Sequence, residues 1–173
     1  MTVRDTLLAH VRDVPDFPSP GVLFKDLTPL FTSAAAFAEV TRDIAERNRG
    51  RVDVVAGIEA RGFIVAVPVA LALGVGFIPV RKAGKLPGDV LSRSYALEYG
   101  EATIEVQANA FGAGQRVLLV DDVLATGGTA AAACELVEAT GATVAGIEML
   151  LELTFLNGRS RLTDRPIRSM ARV

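Results

Sequence analysis

The chain has 173 residues, half of them hydrophobic and 22% charged, enough apolar material for one sizeable core and too much for a disordered chain. Eighteen Lys and Arg against 20 Asp and Glu leave a net charge of −2, so nothing draws the chain as a whole to nucleic acid or an anionic membrane, and any polyanion site has to be local. The single cysteine, Cys134, excludes an intramolecular disulfide and fits a reducing, cytoplasmic setting. The N-terminal MTVRDTLLAHV is interrupted by charges and lacks the apolar stretch of a signal peptide. The most apolar run, Phe63 to Pro79, holds two prolines and two glycines and reads as buried core rather than a membrane span.

In chain order, Val3, Leu7 and Val11 predict a short amphipathic helix over 2–13. VPDFPSPGVLFKDLTP, with its prolines and glycine, predicts an extended, ordered loop. Ser33 is a candidate cap for a helix from Ala34 to Asn48 whose Phe37, Val40 and Ile44 face the core. A short strand over Val52–Gly57 turns through IEARG into a helix over Phe63–Leu73, which Pro68 should kink or shorten and Gly74 should end. Phe77–Val80 is a buried strand, and RKAGKLPGD is a basic loop over Arg81–Asp89. A hairpin follows, Ser92–Tyr99 and Ala102–Val106 about a turn at Gly100–Glu101. Arg116–Val120 is an unbroken apolar strand, leading through DDVLATGG to a helix that starts near Gly128 and ends at Gly141. A strand over Thr143–Leu151, a short helix near Phe155–Leu162 and a strand from Ile167 complete the chain. Strands alternating with helices argue for one α/β domain with a mainly parallel sheet and an antiparallel hairpin. In such sheets ligands sit at the carboxyl ends of strands, which singles out the loops Ile58–Gly62 and Asp121–Thr129.

The segment DDVLATGGT carries the most chemistry. A helix N-terminus offers free N–H groups and a positive dipole end; Gly127 and Gly128 let an anion approach the main chain; Thr126 and Thr129 add hydroxyls. It is neither a Walker A loop nor GxGxxG. Two carboxylates beside a phosphate cradle repel phosphate unless they hold something else on the same ligand. Ribose hydroxyls suit, because ionised carboxylates only accept hydrogen bonds. A solvated Asp pair before an ordinary helix is the plain alternative.

VLLVDDVLATGGT resembles the 5-phosphoribosyl 1-pyrophosphate (PRPP) signature of type I phosphoribosyltransferases. DFPSPGVLFKDLTPLF, GIEARGF, PVRKAGKLPG and YALEYG resemble, in that order, segments of the adenine phosphoribosyltransferases, and the likeness covers nearly the whole chain. It implies a twisted, mainly parallel sheet flanked by helices, a flexible antiparallel hairpin, a small base-binding hood within residues 1–33, and a single domain over 1–173. It implies a magnesium-dependent cytoplasmic homodimer of purine salvage that makes AMP and pyrophosphate from adenine and PRPP, with no nucleic-acid or membrane partner.

Residue by residue, the resemblance assigns Asp121 and Asp122 to the ribose hydroxyls and Ala125, Thr126, Gly127, Gly128 and Thr129 to the 5-phosphate. Glu59, Ala60 and Arg61 fall to the pyrophosphate, joined by Arg81, Lys82 and Lys85 of a mobile loop; Arg81's counterpart in the resembling enzymes comes from the dimer partner. Leu23, Phe24, Lys25 and Leu153 fall to adenine, and Glu98 to general acid/base exchange at the base. Magnesium is held mainly by the substrate's own phosphates and water, so no protein metal ligand is assigned. Read without the resemblance, Arg61 is a surface helix residue, Arg81–Asp89 a solvated basic loop, Phe24 and Leu153 core, and Glu98 a solvent-facing strand residue. Lys25 stands where many members carry Arg, which matters if a guanidinium stack reads the base and little if main-chain groups do. A transferase for hypoxanthine, guanine or xanthine, a PRPP-sensing regulator and a pure interaction module are the rival readings.

Overall fold

The computed structural model describes residues 2–97 and 100–173. Glu98, the candidate acid/base, therefore lies outside the described residues, as do Met1 and Tyr99.

The elements are α1 (Val3–Ala9), β1 (Arg12–Pro15), β2 (Leu23–Asp26), α2 (Thr28–Thr32), α3 (Ala34–Asn48), β3 (Val54–Ile58), α4 (Arg61–Leu73), β4 (Gly76–Lys82), β5 (Val90–Ala96), β6 (Glu101–Gln107), β7 (Arg116–Leu124), α5 (Gly128–Ala139), β8 (Thr143–Glu152), two 3-10 turns (Thr154–Leu156 and Gly158–Leu162) and β9 (Ile167–Arg172). Seven strands form one sheet in the order β5-β6-β4-β3-β7-β8-β9, and β1 and β2 form a separate antiparallel pair. The pairs from β4 to β9 are parallel; β4–β6 and β5–β6 are antiparallel.

Alternation along β7 divides the core. Val117 and Leu119 pack with Ala133, Leu136 and Val137 of α5. Leu118 and Val120 pack on the other face with Val40 and Ile44 of α3 and Val65 and Val69 of α4. Each face is covered because consecutive side chains of a strand point oppositely.

Three departures from the sequence expectations bear on the site. Residues 14–29 are not an extended loop. Arg12–Pro15 pairs with Leu23–Asp26, and α2 follows with proline in its first turn. Pro18 and Pro20 lie in the connection and Pro15 ends its strand, so no proline takes a donor from the middle of a ladder. Cross-strand ion pairs Arg12–Asp26 and Lys25–Asp13 staple the two strands.

Pro68 does not shorten α4, which runs from Arg61 to Leu73. The buried Val65, Ala66, Val69 and Ala70 flank it, and burying valine side chains at about 1.5–3 kcal/mol each outweighs a proline penalty of roughly 3 kcal/mol. Gly74 ends the helix in the left-handed conformation, as expected.

The third departure is β7, which does not stop at Val120. It continues through both aspartates to Leu124 because β8 pairs with it as far as Leu124↔Glu152. On its other side β3 pairs only as far as Gly57↔Val120. The last four residues of β7 thus form an overhang bonded on one edge, and the open edge faces the loop that leaves β3.

Candidate active site

Two helices begin at this overhang. The β3–α4 loop brings the start of α4 against β7: a Cβ on Gly62 would lie 2.7 Å from Asp121 Oδ1 and 3.0 Å from the Val120 carbonyl oxygen. Only glycine allows that approach. The Glu59–Ala60 peptide in this loop is cis. On the other side Ala125–Gly127 leads to α5, with Gly127 at φ +80°. A Cβ on Gly127 would lie 2.2 Å from the Gly158 carbonyl oxygen, and one on Gly158 would lie 2.2 Å from that of Ala125. The phosphate-type loop is therefore seated backbone-on-backbone against the second 3-10 turn.

Side-chain caps are present at α1 and α3 and missing at α2, α4 and α5. α1 has a Thr2 capping box, and Ser33 accepts from the Ala36 N–H at the start of α3. α4 and α5 have no side-chain cap. The helices that start at the crevice keep their first N–H groups for something else, which is the arrangement that binds anions.

A cavity of about 380 Å³ lies between these elements, lined by Glu59, Ala60, Arg61, Lys82, Asp121, Asp122 and Thr129, with Ile58, Tyr95 and Ile104 completing its wall. A recess of about 70 Å³ adjoins it through Asp121 and Thr129, and Ala125, Thr126 and Gly127 line it. The structure thus brings Asp121, Asp122, Thr129, Ala125, Thr126, Gly127, Glu59, Ala60, Arg61 and Lys82 around adjoining spaces, while Gly128, Arg81 and Lys85 line neither. A larger hollow of about 500 Å³ lies among the 3-10 turns and β9, but its cations already have counter-ions: Arg159 on Glu152, Arg165 on Glu138.

The aspartates differ in environment. Burial, and next the adjacent Asp122 carboxylate, push the Asp121 carboxyl well above the usual aspartate range. Its Oδ1 accepts the Asp122 N–H at 2.9 Å. Asp122 is buried. Its Oδ2 lies 2.7 Å from Arg61 Nε, yet no aligned hydrogen bond reaches it among the described residues. That oxygen is ion-paired with Arg61 and otherwise unpartnered among the described residues, on a residue that lines the cavity.

Arg61 does more than the sequence reading gave it. Its guanidinium carbon stands 5.0 Å from the centre of the Phe24 ring, so one side chain spans the residue expected at the base and the carboxylate expected at the sugar. Phe17 packs edge-on against Phe24 at 5.0 Å. Lys25 donates to Asp13 Oδ1 at 2.7 Å, which engages its amine within the hairpin. Leu23 is exposed. Leu153 is held on the phosphate side, its N–H bonded to the Leu124 carbonyl.

Arg81 and Lys82 belong to β4 rather than to a loop. Arg81 makes a two-pronged contact with Glu59 of its own chain, at 3.1 and 3.2 Å, and donates to the Lys85 carbonyl. The Lys82 N–H donates to the same Glu59 carboxylate. The Arg81 guanidinium holds Glu59 below the usual glutamate range. Glu59 thus anchors the cations beside the cavity. The sequence reading missed Tyr95 and Ile104 in the wall and Gly158 beneath the phosphate loop; the Gly158 signal was the glycine itself, in a segment read as ordinary helix.

A phosphoribosyl transferase domain family model matches residues 27–165. An adenine phosphoribosyltransferase of Salinispora tropica is 61% identical over 98% of this chain and 90% of its own, and one of Acidothermus cellulolyticus is 57% identical over 99% and 97%. The chain belongs to the adenine phosphoribosyltransferase family. Among solved members of that family, the Thermoanaerobacter pseudethanolicus structure superposes with a TM-score of 0.95 at 46% identity over 99% of this chain and all of that one. The Saccharomyces cerevisiae structure, complexed with an imino-altritol bisphosphate and adenine, gives 0.93 at 42% identity over 97% and 98%.

Proposed function

We propose that this family member transfers the 5-phosphoribosyl group of PRPP to N9 of adenine, releasing pyrophosphate and forming AMP in purine salvage. The observation that carries the reading is the pair of uncapped helix starts at one crevice, whose wall Asp121 and Asp122 share with Arg61 and Thr129. Such a site holds anions at two points and a hydroxyl-bearing group in the middle.

In this reading the N–H groups of Ala125–Thr129 bind the 5-phosphate, and Asp121 and Asp122 accept from the ribose hydroxyls. Arg61, with the Ala60 main chain, meets the pyrophosphate from the β3–α4 loop. Arg81, Lys82 and Lys85 add positive charge, the first two anchored by Glu59. As the bond from C1 to the pyrophosphate oxygen breaks, charge grows on the leaving group and on the sugar ring, where these cations and carboxylates offset it. Phe24 is the platform for adenine, Leu23 and Lys25 offer main-chain groups to its edge, and Leu153 bounds the far side. Glu98 is assigned proton exchange at the base, by resemblance alone.

Among the described residues no three His, Cys, Asp or Glu converge as a metal cage. Mg²⁺ would be held mainly by the diphosphate and water, with Asp121 and Asp122 the nearest protein carboxylates, and would supply charge neutralisation to the leaving group. The chain works as one domain with residues 1–33 as its hood, acts in the cytoplasm, and forms a homodimer through α4, whose Ile64, Val67 and Leu71 are exposed on one helical stripe. Among the described residues no helix is long and apolar enough to cross a membrane.

The decisive experiment is turnover of adenine, guanine, hypoxanthine and xanthine with PRPP and Mg²⁺. Adenine alone should react; guanine in its place would overturn the assignment. Glu98→Gln should abolish most turnover while PRPP still binds, and Asp122→Asn should weaken PRPP use. Leu71→Glu should give a monomer in sedimentation, and an unchanged oligomer would remove α4 from the interface.

A further inference from the structure

Tyr95 belongs to β5 and lies opposite Ala102 of β6. Its Oη accepts a hydrogen bond from Thr129 Oγ1 at 2.9 Å. Its ring edge, Cδ2, stands 3.0 Å from the place a Cβ on Gly128 would occupy. It also forms part of the wall of the cavity that Arg61, Lys82, Asp121 and Asp122 line. One side chain therefore joins the hairpin, the first turn of α5 and the cavity.

We propose that Tyr95 is a positioning residue for the phosphoribosyl group, acting through Thr129. This rests on the function proposed above. A threonine hydroxyl can be drawn to nearby main-chain groups instead of to a ligand. Tyr95 holds the Thr129 hydroxyl away from that alternative. Two bonded hydroxyls have two protons: one makes the bond between them, and the other remains to donate to a phosphate or ribose oxygen. Tyr95 also fixes where the hairpin sits, because its ring rests on the bare backbone of Gly128. A side chain at 128 would push the ring away, so Gly128 serves this contact as well as the approach of an anion. Docking of the hairpin and ordering of the phosphate loop are thereby one event.

The test compares the wild type with Tyr95→Phe, Thr129→Val, Thr129→Ser and the Tyr95→Phe/Thr129→Val pair, in steady-state kinetics and in calorimetric titration with PRPP. A wild type that binds PRPP but turns over no base fails the proposed function and leaves the titration to judge Tyr95. Tyr95→Phe should raise the KM and Kd for PRPP by about three- to tenfold, the effect of one modest hydrogen bond, with the KM for adenine within about twofold. Thr129→Val should do at least as much, and the double variant should be no worse than Thr129→Val alone. Thr129→Ser, which keeps the hydroxyl, should stay near wild type. An unchanged PRPP constant in Tyr95→Phe, a purely thermal loss, or additive effects in the double variant would overturn the proposal.

Discussion

Gly158 lies outside every segment that reads as a substrate motif, and its replacement by alanine tests how the phosphate loop is supported. Its backbone is in an ordinary conformation, so the added methyl acts through contact alone. That methyl would lie 2.2 Å from the Ala125 carbonyl oxygen and 2.8 Å from the Gly127 nitrogen. Carbon does not come within 3.0 Å of such atoms, so the loop and the 3-10 turn must part by about 0.8 Å, the gap between 2.2 and 3.0 Å. Overpacking of this kind costs about 1–3 kcal/mol, and a displacement of about 1 Å in a positioning element costs up to roughly 100-fold in rate. Gly158→Ala should therefore lower kcat/KM for PRPP by about 10- to 100-fold, with a smaller change in the KM for adenine. Steady-state kinetics with each substrate varied, and a urea denaturation curve, measure both parts. Gly50→Ala is the control: it has φ +72° and open space around it, so it should lose about 1 kcal/mol of stability and no activity. A Gly158→Ala enzyme with wild-type PRPP kinetics would refute the backbone-contact argument.

Three other outcomes follow from charge and burial. Asp121 has a raised folded-state pKa, so it opposes folding once ionised: stability from this group falls as pH rises through the ordinary carboxylate range towards its folded value. Asp121→Asn, which can keep the bond from the Asp122 N–H, should melt higher than wild type at neutral pH and equal it below about pH 4; an equal or lower melting temperature at neutral pH would contradict this. Glu148 is buried and accepts from Arg47 twice and from Asn48 once, so Glu148→Ala should cost about 3 kcal/mol in chemical denaturation, and a loss below about 1 kcal/mol would show that the network is dispensable. Burial pushes the Cys134 thiol up to about 12; the folded protein should resist thiol-modifying reagents at pH 8 and react fully in denaturant, and rapid labelling of the native state would count against the core assignment.

What the sequence disclosed was local. Ser33 capping α3 and Gly74 closing α4 depend on residues within a turn, and the apolar run Val117–Val120 needs no partner to be read as a central strand. The overhang of β7 was hidden because its length is set by β8, some thirty residues on. The β1–β2 hairpin was hidden because the four prolines of residues 14–29 suggest a loop until their places at a strand end, in the connection and in the first turn of α2 are seen. DDVLATGGT disclosed the segment that lines the crevice at the start of α5. The contact of Tyr95 with Thr129 joins residues 34 apart, and the seat of Gly127 on Gly158 joins residues 31 apart; no spacing rule within either segment reports such meetings. Arg81 was placed in a loop because RKAGKLPGD is basic and glycine-bearing, whereas its pairing with Glu105 of β6 holds it in the sheet.

The position of Arg61, between the Phe24 ring and Asp122, has a thermodynamic corollary. In the proposed function, a base that settles on the Phe24 face covered by Arg61 and a diphosphate that claims the guanidinium would displace the same side chain from the same resting place. Whichever group arrives first bears that cost, and the second does not. The two halves of a bisubstrate ligand should therefore bind together more tightly than their separate affinities predict, and pyrophosphate should strengthen the binding of free adenine by the same factor as adenine strengthens that of pyrophosphate.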